Sequence, residues 1–148
     1  MVNEEQRKIW NGPAGAAWVE AQESLDRIFA PFEALLVAEI RSAGAGQVLD
    51  VGCGTGSTTL AATRATGQGG ACTGVDVSEP MIALARARAA REHSGASFIV
   101  ADAQTHVFEP AAFDLLISRF GVMFFEDPTR AFANLRRATR AGDLKSVV

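Results

Sequence analysis

From Glu4 to Ser42 apolar residues recur at three- and four-residue steps, Leu25, Ile28, Phe29 and Phe32 and then Leu35, Leu36 and Ile40. That spacing predicts amphipathic helix packed on the rest of the molecule, broken at Asn11 to Gly15 ("NGPAG") and again around Pro31. After the "SAGAG" stretch, Ser42 to Gly46, the pattern changes to short apolar runs alternating with helical segments. "QVLDV" from Gln47, "ACTGVDV" from Ala71, "SFIVAD" from Ser97 and "FDLLIS" from Phe113 read as buried strands. Between them "STTLAATRA" from Ser57 and "EPMIALARARAAREH" from Glu79 read as helices, and a further helix follows Pro128. Ser78 is placed to cap the second of these, with Pro80 in its first turn and Gly95 beyond its end. Phe132 and Leu135 fall on the apolar side of the last.

Strands that alternate with helices imply parallel βαβ units with right-handed crossovers, hence an α/β fold with helices on both faces of the sheet. The expected organisation is one domain, an amino-terminal helical segment over 1–46 packing on a core over 47–148. A chain of 148 residues, 48% hydrophobic and 21% charged, is long enough for one core. Its net charge of -3 lacks the basic excess that phosphate-backbone binding favours, so nucleic acid is not an expected partner. Charges in "MVNEEQRKIW" stand where a signal peptide needs its apolar stretch, and no apolar run approaches a membrane span. The expected location is therefore cytoplasmic. Cys53 and Cys72 match no zinc spacing and are expected as reduced thiols.

Ligands of such sheets bind beyond the carboxyl ends of the strands. Asp50, Gly52, Gly54 and Gly56 end the first strand, Asp76 the second, Asp102 the third and Ser118 the fourth. Glycines allow close approach to the backbone, and the following helix offers free N–H groups, so the loop suits an anionic or polar group. A glycine-rich turn by itself leaves a nicotinamide dinucleotide and other nucleotides open. Here the third glycine comes one place early for the dinucleotide fingerprint, and Ser57 holds the fingerprint position. An acid at Asp50, two residues before Gly52, favours a ligand carrying positive charge.

"LDVGCGTG", with Asp76 and Asp102 in step, resembles the class I S-adenosylmethionine-dependent methyltransferases over Gln47 to Gly142. "FDLLISRFGVMFFEDPTRAFANLRRATRAG" is similar to the fourth strand, loop and helix of the small-molecule branch, and "IWNGPAGAAWVEAQE" to its amino-terminal helices. The resemblance implies a Rossmann-like fold, S-adenosyl-L-methionine as cofactor and a small-molecule methyl acceptor. It implies that Gly52, Cys53, Gly54 and Gly56 line the methionine moiety, with Asp50 near its ammonium group. By the same resemblance Asp76 takes the ribose hydroxyls, Val77 and Met81 pack on the adenine, and Asp102 and the Ala103 N–H read its edge. The Ser118 carbonyl faces the methionine end. Trp10, Trp18, Phe120, Met123 and Phe124 are candidates to line the acceptor pocket, no catalytic base stands out, and no metal is implied.

One feature departs from the family pattern. Where the family continues with further strands, the chain ends in "DLKSVV", a poor strand, so the C-terminal strands are expected to be missing and the free sheet edge open to self-association. A catalytically silent cofactor-binding fragment and, less favoured, a nicotinamide oxidoreductase stand as alternatives. Arg86, Arg88, Arg91, Arg136, Arg137 and Arg140 are expected on solvated helix faces, and His106 in a surface loop.

Overall fold

A computed structural model describes residues 3–141 and 146–147. A parallel sheet carries β1 (Gln47–Val51), β2 (Ala71–Asp76), β3 (Ser97–Val100), β4 (Leu115–Ile117) and β5 (Ser146–Val147) in the order β3-β2-β1-β4-β5. The chain steps outward from β1 to β3 and then returns to the other side of β1 with β4. The switch point therefore lies between β1 and β4, where Asp50 is level with Ile117 on one side and Gly74 on the other.

Helices cover both faces because the strands are apolar on both. On one face Val48, Cys72, Leu115 and Ile117 pack against Leu36 and Ile40 of α3 (Gln22–Ala43) and Ala62 of α4 (Ser57–Ala65). On the other, Leu49, Val51, Val75 and Leu116 pack against Leu135 and Ala138 of α6 (Pro128–Ala138). A third cluster joins Leu60 of α4 to Ile82, Ala85 and Ala89 of α5 (Glu79–Arg91) and to Phe98. Ser78 caps α5, its hydroxyl oxygen accepting from the Met81 N–H at 3.4 Å. Ahead of α3 lie α1 (Glu4–Asn11) and α2 (Pro13–Glu20), separated by Gly12, where the sequence predicts a break.

The second predicted break is absent, for α3 runs unbroken through Pro31. Pro31 and Arg27 are both exposed, so the carbonyl that loses its donor four residues back meets water rather than protein. The apolar stripe of α3 also divides. Only Leu36 and Ile40 reach the core, whereas Ile28 and Leu35 are each 64% exposed, because the first half of α3 projects past the sheet and over the strand ends. Phe132 is not on the buried side of α6; it is exposed and packs edge-on against Phe125, and Ala131 and Asn134 are buried beside Leu135 instead.

Arg88 is a further correction. It does not lie on a solvated face: Nη2 pairs with Asp26 at 2.8 Å and Nη1 donates to the Thr55 carbonyl at 3.0 Å, with 12% of the side chain exposed. Arg86 stays exposed, as expected, while its Nη2 donates to the Phe98 carbonyl at 2.8 Å. The fourth strand is shorter than "FDLLIS", with Phe113 reduced to a single bridge to Thr139. Ser146 and Val147 pair with Leu116 and Ile117, and the rest of the "DLKSVV" segment lies outside the described residues.

Candidate functional site

A cleft of about 310 Å³ opens over the carboxyl ends of β1, β2 and β4 and is roofed by the amino-terminal helices. Its floor is the loop from Gly52 to Thr55. At Gly52, with φ 71°, a Cβ would stand 2.6 Å from the Gly121 Cα, so the loops after β1 and β4 touch only because both residues lack side chains. Gly54 is different. A Cβ there would meet nothing nearer than the Met81 Sδ at 3.8 Å, leaving open space that faces the cleft.

Asp76 organises this loop. Its Oδ2 accepts from the Gly54 N–H and its Oδ1 from the Ser78 N–H, both at 2.9 Å. Burial pushes its carboxyl up, opposed by these backbone N–H groups. Each oxygen keeps acceptor capacity on the cleft side. Arg88, through Thr55 and Asp26, clamps the far end of the loop to α3.

At the end of β3, Asp102 accepts from the Gln104 N–H at 3.0 Å and from its side-chain amide at 3.3 Å. The Gln104 carbonyl oxygen in turn accepts from the Glu126 and Asp127 N–H groups at 2.9 and 3.2 Å, holding the segment before α6. The Ala103 carbonyl is fixed by Asn134.

The cleft thus brings together Gly52, Cys53 and Gly54 from the first loop, Asp76, Val77 and Met81 from the second, and Asp102 and Ala103 from the third. Three expected site residues do not line it. Asp50 lies behind the loop, its Oδ2 accepting from the Thr59 hydroxyl at 2.7 Å and its Oδ1 buried without a partner among the described residues. Burial raises its carboxyl from the ordinary 3.8 to about 6, against the lowering effects of Thr59 and Arg119. Gly56 faces inward, where a Cβ would come within 2.8 Å of the Ala85 Cβ and 3.1 Å of the Phe98 ring, so it is a packing position at the start of α4. The Ser118 hydroxyl donates to the Val51 carbonyl at 2.8 Å and ties β4 to β1 from below.

Trp10, Trp18, Phe120, Met123 and Phe124 all line the cleft as an aromatic and apolar wall. Trp10 meets Trp18 and Phe124 edge-on at 5.8 and 5.4 Å, and Trp18 stacks on Phe29 at 6.1 Å. His106 is not on the cleft and packs against Phe108. Sequence reasoning missed Arg119, which lines the cleft with its guanidinium carbon 5.0 Å over the Phe29 ring. The only signal was a charge placed directly after an apolar strand. Among the described residues no cluster of acids, histidines and cysteines fits a metal ion, Cys53 and Cys72 are both free, and no helix is long and apolar enough to cross a membrane.

A Rossmann-like parallel sheet with its glycine loop and acids at successive strand ends defines a nucleoside-binding α/β protein. Residues 48–142 match the methyltransferase domain family, and the chain belongs to it. It is 32% identical over 122 residues to aklanonic acid methyltransferase DauC of Streptomyces sp. (strain C5), a match covering 79% of this chain and 56% of that protein. The fold is shared with the magnesium protoporphyrin IX methyltransferase ChlM from Synechocystis PCC 6803, with a TM-score of 0.74 and 19% identity over 93% of this chain and 71% of that one. The [4+2]-cyclase SpnF is also similar, with a TM-score of 0.66 and 29% identity over 82% of this chain and 43% of that one. The chain spans about half the length of the first curated relatives it matches.

Proposed function

We propose that this chain is the S-adenosyl-L-methionine-binding core of an enzyme that transfers a methyl group to a small-molecule acceptor. The observation that carries the reading is the meeting of Asp76 and Asp102, from the ends of neighbouring strands, on one cleft with the open face of Gly54. The residues fit that cofactor. Asp76 has two oxygens for a vicinal diol, Val77 and Met81 flank an adenine, and Asp102 and the Ala103 N–H meet its edge. Gly52, Cys53 and Gly54 give the room that a methionine moiety needs, with the Ser118 carbonyl at that end. Gly56 sets the turn from behind. Asp50, buried beneath, offsets positive charge on the ligand across the loop.

The cofactor would supply a methyl group already activated on a sulfonium. The chain's own part is to hold donor and acceptor in line and exclude water, and the wall of Trp10, Trp18, Phe120, Met123 and Phe124 suits a flat, apolar acceptor. Relatives named aklanonic acid methyltransferase and Nocamycin O-methyltransferase support a small-molecule acceptor. Within the proposed single domain, residues 1–46 serve as roof to the core at 47–148. The acidic balance supports a partner other than nucleic acid, and the free thiols support a cytoplasmic location.

Calorimetric titration with S-adenosylhomocysteine and with NAD is the first test: the former binds and the latter does not. Transfer of a labelled methyl group to a panel of oxygen, nitrogen and carbon acceptors is the second. Binding of NAD alone would restore the oxidoreductase reading. S-adenosylhomocysteine binding without any transfer favours the silent-fragment reading, or chemistry of another kind, for which the likeness to a cyclase is the relevant observation.

A further inference from the structure

Among the described residues only three buried side-chain polar atoms lack a hydrogen-bond partner, and two of them carry charge: Asp50 Oδ1 and Arg119 Nη1. Both belong to the same end of the site. Asp50 lies under the glycine loop, and the positive charge of Arg119 acts on it in opposition to the larger effect of burial. Yet no ion pair among the described residues includes Arg119. The acids lining the cleft are committed elsewhere, Asp26 to Arg88 and Gln22, Asp76 to the Gly54 and Ser78 N–H groups, and Asp102 to Gln104.

Arg119 is nevertheless held firmly. Its guanidinium rests on the Phe29 ring, which Trp18 also stacks against at 6.1 Å and 12° between planes. The chain turns immediately after it, with Phe120 at φ 65°. A fixed, partly desolvated guanidinium with a free N–H fork is built for a planar oxyanion, and carboxylates match that fork with two parallel hydrogen bonds.

We propose that Arg119 is the carboxylate receptor of the cleft. The inference rests on the cofactor reading above, which supplies the first source of such a group: the α-carboxylate of the methionine moiety, whose ammonium is then left for the Asp50 side. A zwitterionic amino-acid group matches the opposite signs of Asp50 and Arg119. The second source is an acid group on the acceptor, and the chemistry recognised is the same.

The test compares the unaltered chain with Arg119→Met and Arg119→Lys by calorimetry. The probes are S-adenosylhomocysteine, 5′-methylthioadenosine, which keeps the nucleoside and sulfur but has no amino-acid group, and 1-naphthoate added to protein saturated with S-adenosylhomocysteine. Arg119→Met should weaken S-adenosylhomocysteine roughly ten- to a hundredfold, leave 5′-methylthioadenosine unchanged and lose less when lysine stands in its place. Loss confined to naphthoate supports the receptor and assigns its carboxylate to the acceptor. Unchanged affinity for every probe overturns the proposal. So does an equal fall for both nucleosides, which marks a residue that only shapes the cleft. If the unaltered chain binds neither nucleoside, the proposed function fails, and naphthoate titrated alone decides the role of Arg119.

Discussion

The Ser78 hydroxyl donates to the Trp10 carbonyl at 2.6 Å while its oxygen caps α5 at Met81. One side chain thus fastens the roof of the cleft to the turn that follows Asp76. Asn11 repeats the link, donating to the Val77 carbonyl and accepting from the Glu79 N–H at 2.8 Å each. Ser78→Ala should therefore lower stability by about 1 kcal/mol, the usual worth of a cap, and weaken S-adenosylhomocysteine severalfold. Scanning calorimetry and titration check both, and an unchanged affinity would mean that the roof holds its place without this bond.

Asp76→Ala removes the acceptor for two backbone N–H groups and the proposed seat of the ribose. Hydrogen bonds to a charged group are worth about 1.5 to 3 kcal/mol, so affinity for S-adenosylhomocysteine should fall roughly ten- to a hundredfold. Circular dichroism should stay close to that of the unaltered chain. A folded variant with undiminished binding would remove Asp76 from the ribose site.

The glycines separate binding from packing. Gly54→Val places a branched side chain in space that nothing in the chain occupies, at φ 54°, so binding should disappear while most of the stability remains. Gly56→Ala drives a Cβ to 2.8 Å from Ala85 at φ 89°, and its main effect should be a fall of several degrees in Tm. The reverse ranking in paired melting and titration experiments would move the ligand away from Gly54.

The buried acid behind the loop gives a pH signature. Its carboxyl lies near 6 in the folded chain against an ordinary 3.8, so the folded state holds the proton more tightly than the unfolded state does. Stability from this group is therefore greatest at low pH, falls as pH rises from about 4 to about 6 and is level above, by roughly 3 kcal/mol in all. Asp76, raised by burial as well, adds in the same direction. Asp50→Asn should flatten that slope and be the more stable protein at pH 7.5, yet bind S-adenosylhomocysteine less well. Urea unfolding of both proteins across pH 4 to 8 reads this directly, and parallel pH profiles would clear Asp50 as the source.

Much of the site is legible in the sequence because it is written into backbone punctuation. Gly52 and Gly54 after an apolar run, and Asp76 and Asp102 at the ends of two more, are fixed by local chain geometry and by strand ends that parallel pairing brings level. What the sequence conceals is set by distant partners. Arg88 reads as a solvated helix residue because its partner, Asp26, is 62 positions away. Arg119 is meaningful only once Phe29 is seen beneath it. Pro31 reads as a break, since periodicity does not reveal that its side of α3 faces water. Asp50 shares its strand with residues whose loop reaches the cleft, but the alternation of the strand turns it toward Thr59 instead.

The roof and the sheet are held by different forces. None of the α1 residues is buried and α2 buries only Gly15, so these helices keep their place through a few polar bonds, from Asn3 to Glu126 at one end and from Trp10 and Asn11 to residues 77–79 at the other, and through the ring contacts of Trp10 with Phe124 and of Trp18 with Phe29. The loops proposed to bind the nucleoside, in contrast, grow out of the apolar core. A lineage carrying this architecture is free to rewrite its first twenty or so residues, and with them Trp10 and Trp18, without disturbing the platform beneath. On the function proposed here, new acceptors can then be tried at small expense in folding, while the strand-end acids and the glycine loop keep the task proposed for them.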